Sequence, residues 1–237
     1  MLVIDHLDKK YKGTDKGVTD ITIHVEPGDI YAFIGHNGAG KTTLLKAITG
    51  IHEFDKGEVT IDGIKLKDDP IEVKKRFAYI PDNPDVYEFL TGIQYLQLIA
   101  DVFGVSSADR ENLVTEYATR LEIIDSLGDL ISSYSHGMKQ KLVIISALLH
   151  KPKLLIMDEP FVGLDPKAAF ILKEIMREMT EEGCAIFFST HVLEVAEKLC
   201  NKVAIIKDGR LIASGLMDEV VKEGSTLEEL FMDTVMD

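Results

Sequence analysis

The pattern of hydrophobic and polar positions changes along the chain and divides the sequence into strand-rich and helical parts. Short apolar stretches bounded by turn residues dominate the first third, and this pattern is typical of β-strands. Asp62-Gly63 directly follows one of these stretches and indicates a hairpin turn. The strands predicted over the whole chain cover residues 2–7, 19–25, 29–34, 57–61, 77–80, 154–157, 185–189 and 202–206.

Helical spacing replaces this pattern between residues 91 and 150, where apolar side chains recur at intervals of three and four. Ser107 is predicted to cap one helix of this part, and Ser135 is predicted to cap a second that runs to residue 150. Apolar strands that alternate with helices indicate parallel strands buried on both faces. We therefore expect an α/β core with a helical insertion at about residues 84–150. The other predicted helices cover residues 43–49, 166–182 and 192–199.

Composition and charge narrow the class of protein. An apolar fraction of 46% and a charged fraction of 28% are those of a soluble globular chain. The longest apolar run, residues 142–149, is shorter than the roughly 18 to 20 residues that a bilayer requires, so we expect neither a membrane span nor export. A net charge of −14 repels the nucleic-acid backbone. Cys184 and Cys200 lack metal-binding spacing and are expected to be buried thiols in a reducing cytosol.

A glycine-rich segment follows the predicted strand 29–34 and leads directly into a predicted helix. Residues 35–42 satisfy the P-loop pattern G-x-x-x-x-G-K-[ST], in which backbone N–H groups surround phosphate oxygens at a helix N-terminus. Lys41 would bridge the terminal phosphates, and the Thr42 hydroxyl would bind Mg²⁺. The alternative interpretation is a glycine-rich turn with an exposed lysine. The candidate nucleotide-binding residues here are Gly35, His36, Asn37, Gly38, Ala39, Gly40, Lys41, Thr42 and Thr43.

Two adjacent carboxylates, Asp158 and Glu159, follow the predicted buried strand 154–157. Parallel strands present ligand-binding groups at their carboxyl ends, so the pair is expected beside the P-loop. Asp158 would hold Mg²⁺ through water, and Glu159 would polarise a water for attack on the γ-phosphate. An acidic pair alone is also typical of a solvated turn. Together with the P-loop, it favours hydrolysis over nucleotide storage.

A further segment, Tyr134-Ser135-His136-Gly137-Met138-Lys139-Gln140, resembles the signature motif of the ATP-binding subunits of ABC transporters. It is similar to the variant found in the exporter-type, ABC-2 subgroup, although any serine-capped helix start has a comparable sequence. The resemblance implies the α/β fold of a P-loop NTPase, with a mixed sheet core, an N-terminal antiparallel β-subdomain and an inserted α-helical subdomain. It also implies that ATP and Mg²⁺ bind. Ser135 and Gly137 of one subunit would then cover the ATP bound to a second subunit.

Four more residues acquire a role through this resemblance. Tyr11 resembles the aromatic residue that stacks on adenine, or it is a half-buried tyrosine at a strand end. Asp165 resembles the D-loop residue that connects the two sites, and it is also a good helix N-cap. His191 resembles the histidine that contacts the γ-phosphate, and Asp82 stands where the family has a metal-binding glutamine. By the resemblance, the catalytic residues are Lys41, Glu159 and His191, and the metal ligands are Thr42, Asp82 and Asp158.

The resemblance covers essentially the whole chain, so residues 1–237 are predicted to form one ATPase domain. Its predicted parts are a core with the β-subdomain (1–83 and 151–215), a helical signature subdomain (84–150) and short C-terminal helices (216–237). The implied partners are a second ATPase subunit and a membrane permease, with no nucleic acid, and the implied location is the inner face of the cell membrane. The implied direction of transport is export. The alternatives are a soluble ABC ATPase acting on ribosomes or DNA, and a small-molecule P-loop kinase.

Overall fold

Two β-sheets organise the structure, a computed structural model that describes residues 1–11, 13, 16–221 and 225–236. The smaller sheet has the strand order 2-1-4-5 and antiparallel pairing, and the larger one has the order 10-9-3-8-7-6. The strands are β1 (Leu2–Lys10), β2 (Gly17–Val25), β3 (Ile30–Ile34), β4 (Lys56–Ile61), β5 (Ile64–Lys65), β6 (Phe77–Ile80), β7 (Leu154–Asp158), β8 (Ala185–Thr190), β9 (Lys202–Lys207) and β10 (Arg210–Leu216).

The helices connect and cover these sheets. Three of them, α3 to α5, lie between β6 and β7 and form the predicted helical insertion. None of the described helices is both long enough and apolar enough to span a lipid bilayer. The helices are α1 (Lys41–Ile48), α2 (Pro70–Lys74), α3 (Gly92–Val102), α4 (Ser107–Arg120), α5 (His136–Leu148), α6 (Pro166–Glu181), α7 (Leu193–Leu199), α8 (Met217–Val220) and α9 (Leu227–Met236).

The larger sheet is mixed, as predicted. Strands β3, β6, β7, β8 and β9 run parallel, and β10 runs antiparallel to β9. Because parallel strands end at the same edge, the residues that follow β3, β6, β7 and β8 are brought together there. This edge holds the P-loop, the loop with Asp82, the acidic pair and the turn with His191.

Alternating side chains of the larger sheet enter two hydrophobic cores. Phe33 and Phe187, with ring centroids 5.7 Å apart, belong to a core that includes α1 and the smaller sheet. Ala32 and Phe188 point to the opposite face, whose core includes α3 to α6. Burial on both faces explains why these strands are apolar throughout. The α/β fold class with an antiparallel N-terminal sheet and inserted helices is therefore confirmed, whereas the exact subdomain boundaries stay a prediction.

Several element boundaries differ from those predicted. Ser106, not Ser107, caps α4, because its hydroxyl accepts a hydrogen bond from the backbone N–H of Asp109 at 3.1 Å. Asp29 precedes β3 and instead accepts a hydrogen bond from the backbone N–H of Glu26 at 2.7 Å. The sequence does not predict strand β10, because three consecutive apolar residues, 211–213, obscure the alternation of a half-exposed strand. The hairpin at Asp62-Gly63 and the burial of both cysteines are confirmed.

Candidate nucleotide-binding and hydrolysis site

The P-loop connects β3 to α1, and close packing fixes the loop's conformation. Gly40 caps the helix with a φ of 110°, and a Cβ atom there would lie 2.8 Å from Val18 Cγ1. A Cβ atom on Gly35 would lie 2.7 Å from Ile206 Cγ2. Only glycine fits these two positions without displacement of a neighbour. The loop thus places the N-terminus of α1, with its unsatisfied N–H groups, at the sheet edge.

Lys41 lies folded against the same loop. Its Nζ atom donates a hydrogen bond to the carbonyl oxygen of Gly35 at 2.7 Å and another to that of His36 at 3.4 Å. The same Nζ atom lies 3.4 Å from Glu159 Oε1, and the Lys41 side chain is only 7% exposed. The single cationic group of the loop is therefore already neutralised by a carboxylate of the site.

Asp158 ends β7 in a buried position opposite Ser189 of β8. The hydroxyl of Ser189 donates a hydrogen bond to Asp158 Oδ1, whereas no group in the described residues hydrogen-bonds to Oδ2. Burial raises the pKa of Asp158 above its ordinary value, against the opposing effect of the Ser189 and Thr42 hydroxyls. A buried carboxylate oxygen without a hydrogen bond, beside a threonine hydroxyl, fits a Mg²⁺ site. Asp82 lines the same cavity and offers a further carboxylate.

Glu159 occupies an unusual backbone conformation, with a φ of 48°. Its N–H group donates hydrogen bonds to the carbonyl oxygen and the hydroxyl of Ser189, each at 3.1 Å, and these hold the turn in place. Its Oε2 atom lies 2.9 Å from His191 Nδ1 and accepts a hydrogen bond from the His191 backbone N–H at 3.3 Å. Glu159 thus lies between the P-loop lysine and the histidine that follows β8.

Tyr11 lies at the rim of the site. Its hydroxyl is 3.5 Å from the Thr43 hydroxyl and 3.2 Å from His52 Nδ1. The ring is 38% exposed and lines the cavity above the P-loop. An aromatic ring at the edge of a phosphate-binding loop offers a flat apolar surface for a nucleobase.

Most predicted residues of one chain surround a single cavity of about 260 Å³. Gly35 and Ala39 belong to the loop but not to the cavity wall, and His191 reaches the site through Glu159. Lys16 and Gly17 also line the cavity, and the sequence does not predict them because nothing in its pattern indicates that the start of β2 reaches the P-loop. The wall consists of Tyr11, Lys16, Gly17, His36, Asn37, Gly38, Gly40, Lys41, Thr42, Thr43, Asp82, Asp158 and Glu159.

Ser135 and Gly137 are not part of this cavity wall. Ser135 is exposed and caps α5, where its hydroxyl accepts a hydrogen bond from the backbone N–H of Met138 at 3.3 Å. A Cβ atom on Gly137 would lie 2.9 Å from the carbonyl oxygen of Gly163, so α5 starts directly against the loop before α6. Asp165 caps α6 through the N–H of Ala168 at 2.8 Å. The signature segment and the predicted D-loop therefore form one continuous surface.

A strand, a glycine-rich loop and a helix, with a carboxylate pair at the neighbouring strand end, define a P-loop nucleotide hydrolase. The family described as ABC transporter matches residues 18–162. The chain belongs to this family, and it is an ATP-binding subunit with the ATPase activity of its class.

Similar proteins agree with this assignment. The ABC-type transporter ATP-binding protein EcsA of Bacillus subtilis (strain 168) is 34% identical over 218 residues, or 90% of this chain and 88% of EcsA. The linearmycin resistance ATP-binding protein LnrL of the same organism is 30% identical over 232 residues, or 97% of this chain and 74% of LnrL. A solved structure of an ATP-binding subunit of an ABC transporter has a TM-score of 0.94 and 37% identity, with 98% of each chain covered.

Proposed function

We propose that this chain hydrolyses ATP as one of two ATPase subunits that pair head to tail and drive a separate membrane permease. The observation that supports it best is the division of the predicted site between two surfaces. One surface carries the P-loop and the acidic residues, and the other carries the exposed Ser135 beside Gly137. In two copies related by a twofold axis, the P-loop surface of each copy would face the Ser135 surface of the other. This arrangement would create two equal sites.

Each residue of the cavity has a distinct proposed role. Lys41 and the N–H groups of the P-loop bind the phosphates of ATP. Thr42, Asp82 and Asp158 would hold Mg²⁺, and the bound ion would neutralise charge on the phosphate oxygens. Glu159 accepts a proton from the attacking water. His191, whose Nδ1 atom lies 2.9 Å from the Glu159 carboxylate, orients that carboxylate. Tyr11 stacks on the adenine base.

A second cavity supports the proposed contact with a permease. It has a volume of about 380 Å³ and lies between β6 and the helices α3 and α5. Beside it, Tyr87 and Phe89 are 54% and 75% exposed. An apolar cleft with exposed aromatic residues fits the apolar face of a short helix from a membrane protein's cytoplasmic loop. The residues that line the cavity include Phe77, Tyr79, Tyr95, Ile99, Phe103, Val143 and His150.

The docking surface and the signature segment are physically connected. Glu88 lies between the two exposed aromatic residues, and its carboxylate pairs with Lys139 in the first turn of α5. Behind this surface, Tyr95 and Leu96 of α3 are buried and belong to the core of the helical part. A partner seated on Tyr87 and Phe89 would therefore act on the helix that Ser135 caps.

Export is the proposed direction of transport. The signature segment resembles the exporter-linked variant, and the relative LnrL carries a name that refers to linearmycin resistance. A permease partner also places the subunit at the cytoplasmic face of the membrane.

Co-purification tests the proposed function directly. The chain, tagged and expressed in its native host, is expected to bring down a polytopic membrane protein after detergent extraction, and its ATPase activity is expected to rise in that complex. A Lys41→Ala variant serves as the control, since it should retain the partner but lose turnover. Association with polysomes in place of a membrane protein would contradict the transporter assignment and support an ABC ATPase that acts on ribosomes.

A further inference from the structure

Tyr11 is anchored at both ends. Its backbone N–H donates a hydrogen bond to the carbonyl oxygen of Lys16 at 3.1 Å, across the connection between β1 and β2. At the other end of the side chain, the hydroxyl lies 3.2 Å from His52 Nδ1. The two rings meet edge to face, with centroids 5.9 Å apart and planes at 89°. This contact restricts a ring that its exposure would otherwise leave able to rotate.

His52 is itself held in position by α1. Its backbone N–H donates a hydrogen bond to the carbonyl oxygen of Lys46 at 2.9 Å, just after the end of the helix. The imidazole is half-buried, and burial together with the charges of Lys46 and Lys9 lowers the pKa of His52. Both effects favour the neutral form of the ring. In the tautomer with its proton on Nε2, Nδ1 accepts the hydrogen bond of the Tyr11 hydroxyl.

We propose that His52 is a positioning residue that fixes the Tyr11 ring in the orientation that receives the adenine base. This inference rests on the proposed function of Tyr11 and adds the residue that keeps its ring in place. His52 does not line the cavity. It therefore acts through Tyr11, and it contributes to the binding of the adenine base and not to the binding of the phosphates. A ring fixed before binding avoids the loss of side-chain freedom that binding would otherwise cost.

The experiment measures the affinity of two ligands by isothermal titration calorimetry in Mg²⁺. One ligand is a non-hydrolysable ATP analogue, and the other is inorganic tripolyphosphate, which has no base. The chain has no tryptophan, so calorimetry avoids a need for an intrinsic fluorescence signal. The variants are His52→Ala, His52→Asn, Tyr11→Phe, Tyr11→Ala and the double variant His52→Ala with Tyr11→Phe.

His52→Ala is expected to lower the affinity for the ATP analogue by about 3- to 10-fold, the range of one hydrogen bond, and to leave the affinity for tripolyphosphate unchanged. In the Tyr11→Phe background, His52→Ala is expected to lower the affinity for the ATP analogue by less than about a further twofold, because the hydrogen bond is already lost. His52→Asn keeps an acceptor near the position of Nδ1 and is expected to restore most of the affinity. In steady-state assays, His52→Ala is expected to raise KM with little change in kcat.

Different outcomes contradict different statements. If Tyr11→Ala weakens the ATP analogue and His52→Ala does not, the role of His52 is wrong and that of Tyr11 stands. The role of His52 is also wrong if His52→Ala weakens the binding of tripolyphosphate as much as that of the ATP analogue. The same holds if His52→Ala weakens analogue binding as much in the Tyr11→Phe background as in the unmodified chain. If Tyr11→Ala leaves the affinity unchanged, the adenine contact itself is wrong, and the inference for His52 fails with it.

Discussion

Replacement of Glu159 by glutamine tests the arrangement of the site most directly. In the structure this carboxylate lies 3.4 Å from Lys41 Nζ, with side-chain exposures of 14% and 7%. At an effective dielectric constant of about 20, the gross Coulomb attraction at this distance is about 5 kcal/mol, and the net contribution of such charged contacts is about 1.5 to 3 kcal/mol. ATP has to displace this contact before its phosphates can bind Lys41.

Two opposite effects are therefore expected from Glu159→Gln. Loss of the carboxylate frees Lys41 for the phosphates, so a non-hydrolysable ATP analogue should bind about tenfold more tightly or better. Loss of the base should lower kcat by about 10²- to 10⁴-fold. Because hydrolysis is slow, a dimer should accumulate in saturating Mg²⁺-ATP.

The assays are phosphate release, calorimetric titration with the analogue, and size-exclusion chromatography. Glu197→Gln is a matched control, since Glu197 is an exposed glutamate of α7 and should change none of the three readouts. Unchanged hydrolysis in Glu159→Gln would refute its role as the base. An unchanged analogue affinity would refute the competition for Lys41, and a variant that stays monomeric in Mg²⁺-ATP would contradict the paired-subunit mechanism.

Three other substitutions test separate parts of the structure. Lys41→Ala should lower the affinity for ATP by at least about tenfold and abolish turnover. Retained phosphate release would exclude this site as the active site. Asp82→Asn should raise the Mg²⁺ concentration required for half-maximal ATPase activity by about tenfold, and an unchanged Mg²⁺ dependence would remove Asp82 from the metal ligands. Burial opposes ionisation of Asp29, but hydrogen bonds from Lys202, the Glu26 N–H and Asn201 outweigh it and lower the pKa of Asp29. The stabilisation that ionised Asp29 contributes is present above its ordinary pKa and is lost as the pH falls through the lowered value. Asp29→Asn should therefore lower the free energy of unfolding by about 1 to 3 kcal/mol at pH 7 and by less at pH 3. Thermal unfolding at both pH values measures this difference.

The local parts of the site could be predicted from the sequence because consecutive residues build them. The P-loop pattern and the helix after it are contiguous in the sequence, and the acidic pair lies at the end of its own strand. Ser189 and His52 could not be assigned in this way. Ser189 meets Asp158 through the register of two strands, and His52 meets Tyr11 across 41 positions of the chain. Contacts of this kind depend on the packing of whole elements, which a residue pattern does not specify.

The two carboxylates of the site are held in different ways, and the difference suits their proposed roles. Asp158 belongs to the β-ladder, where it is paired with Ser189 and fully buried, so its position is set before any ligand binds. Glu159 lies one residue beyond the ladder, where its carboxylate contacts Lys41 and His191. A metal ligand benefits from being fixed in advance, whereas a base has to exchange one partner for another. Displacement of Glu159 from Lys41 by a phosphate would leave the carboxylate with His191 alone and able to accept a proton from water, so that binding of ATP itself prepares the base.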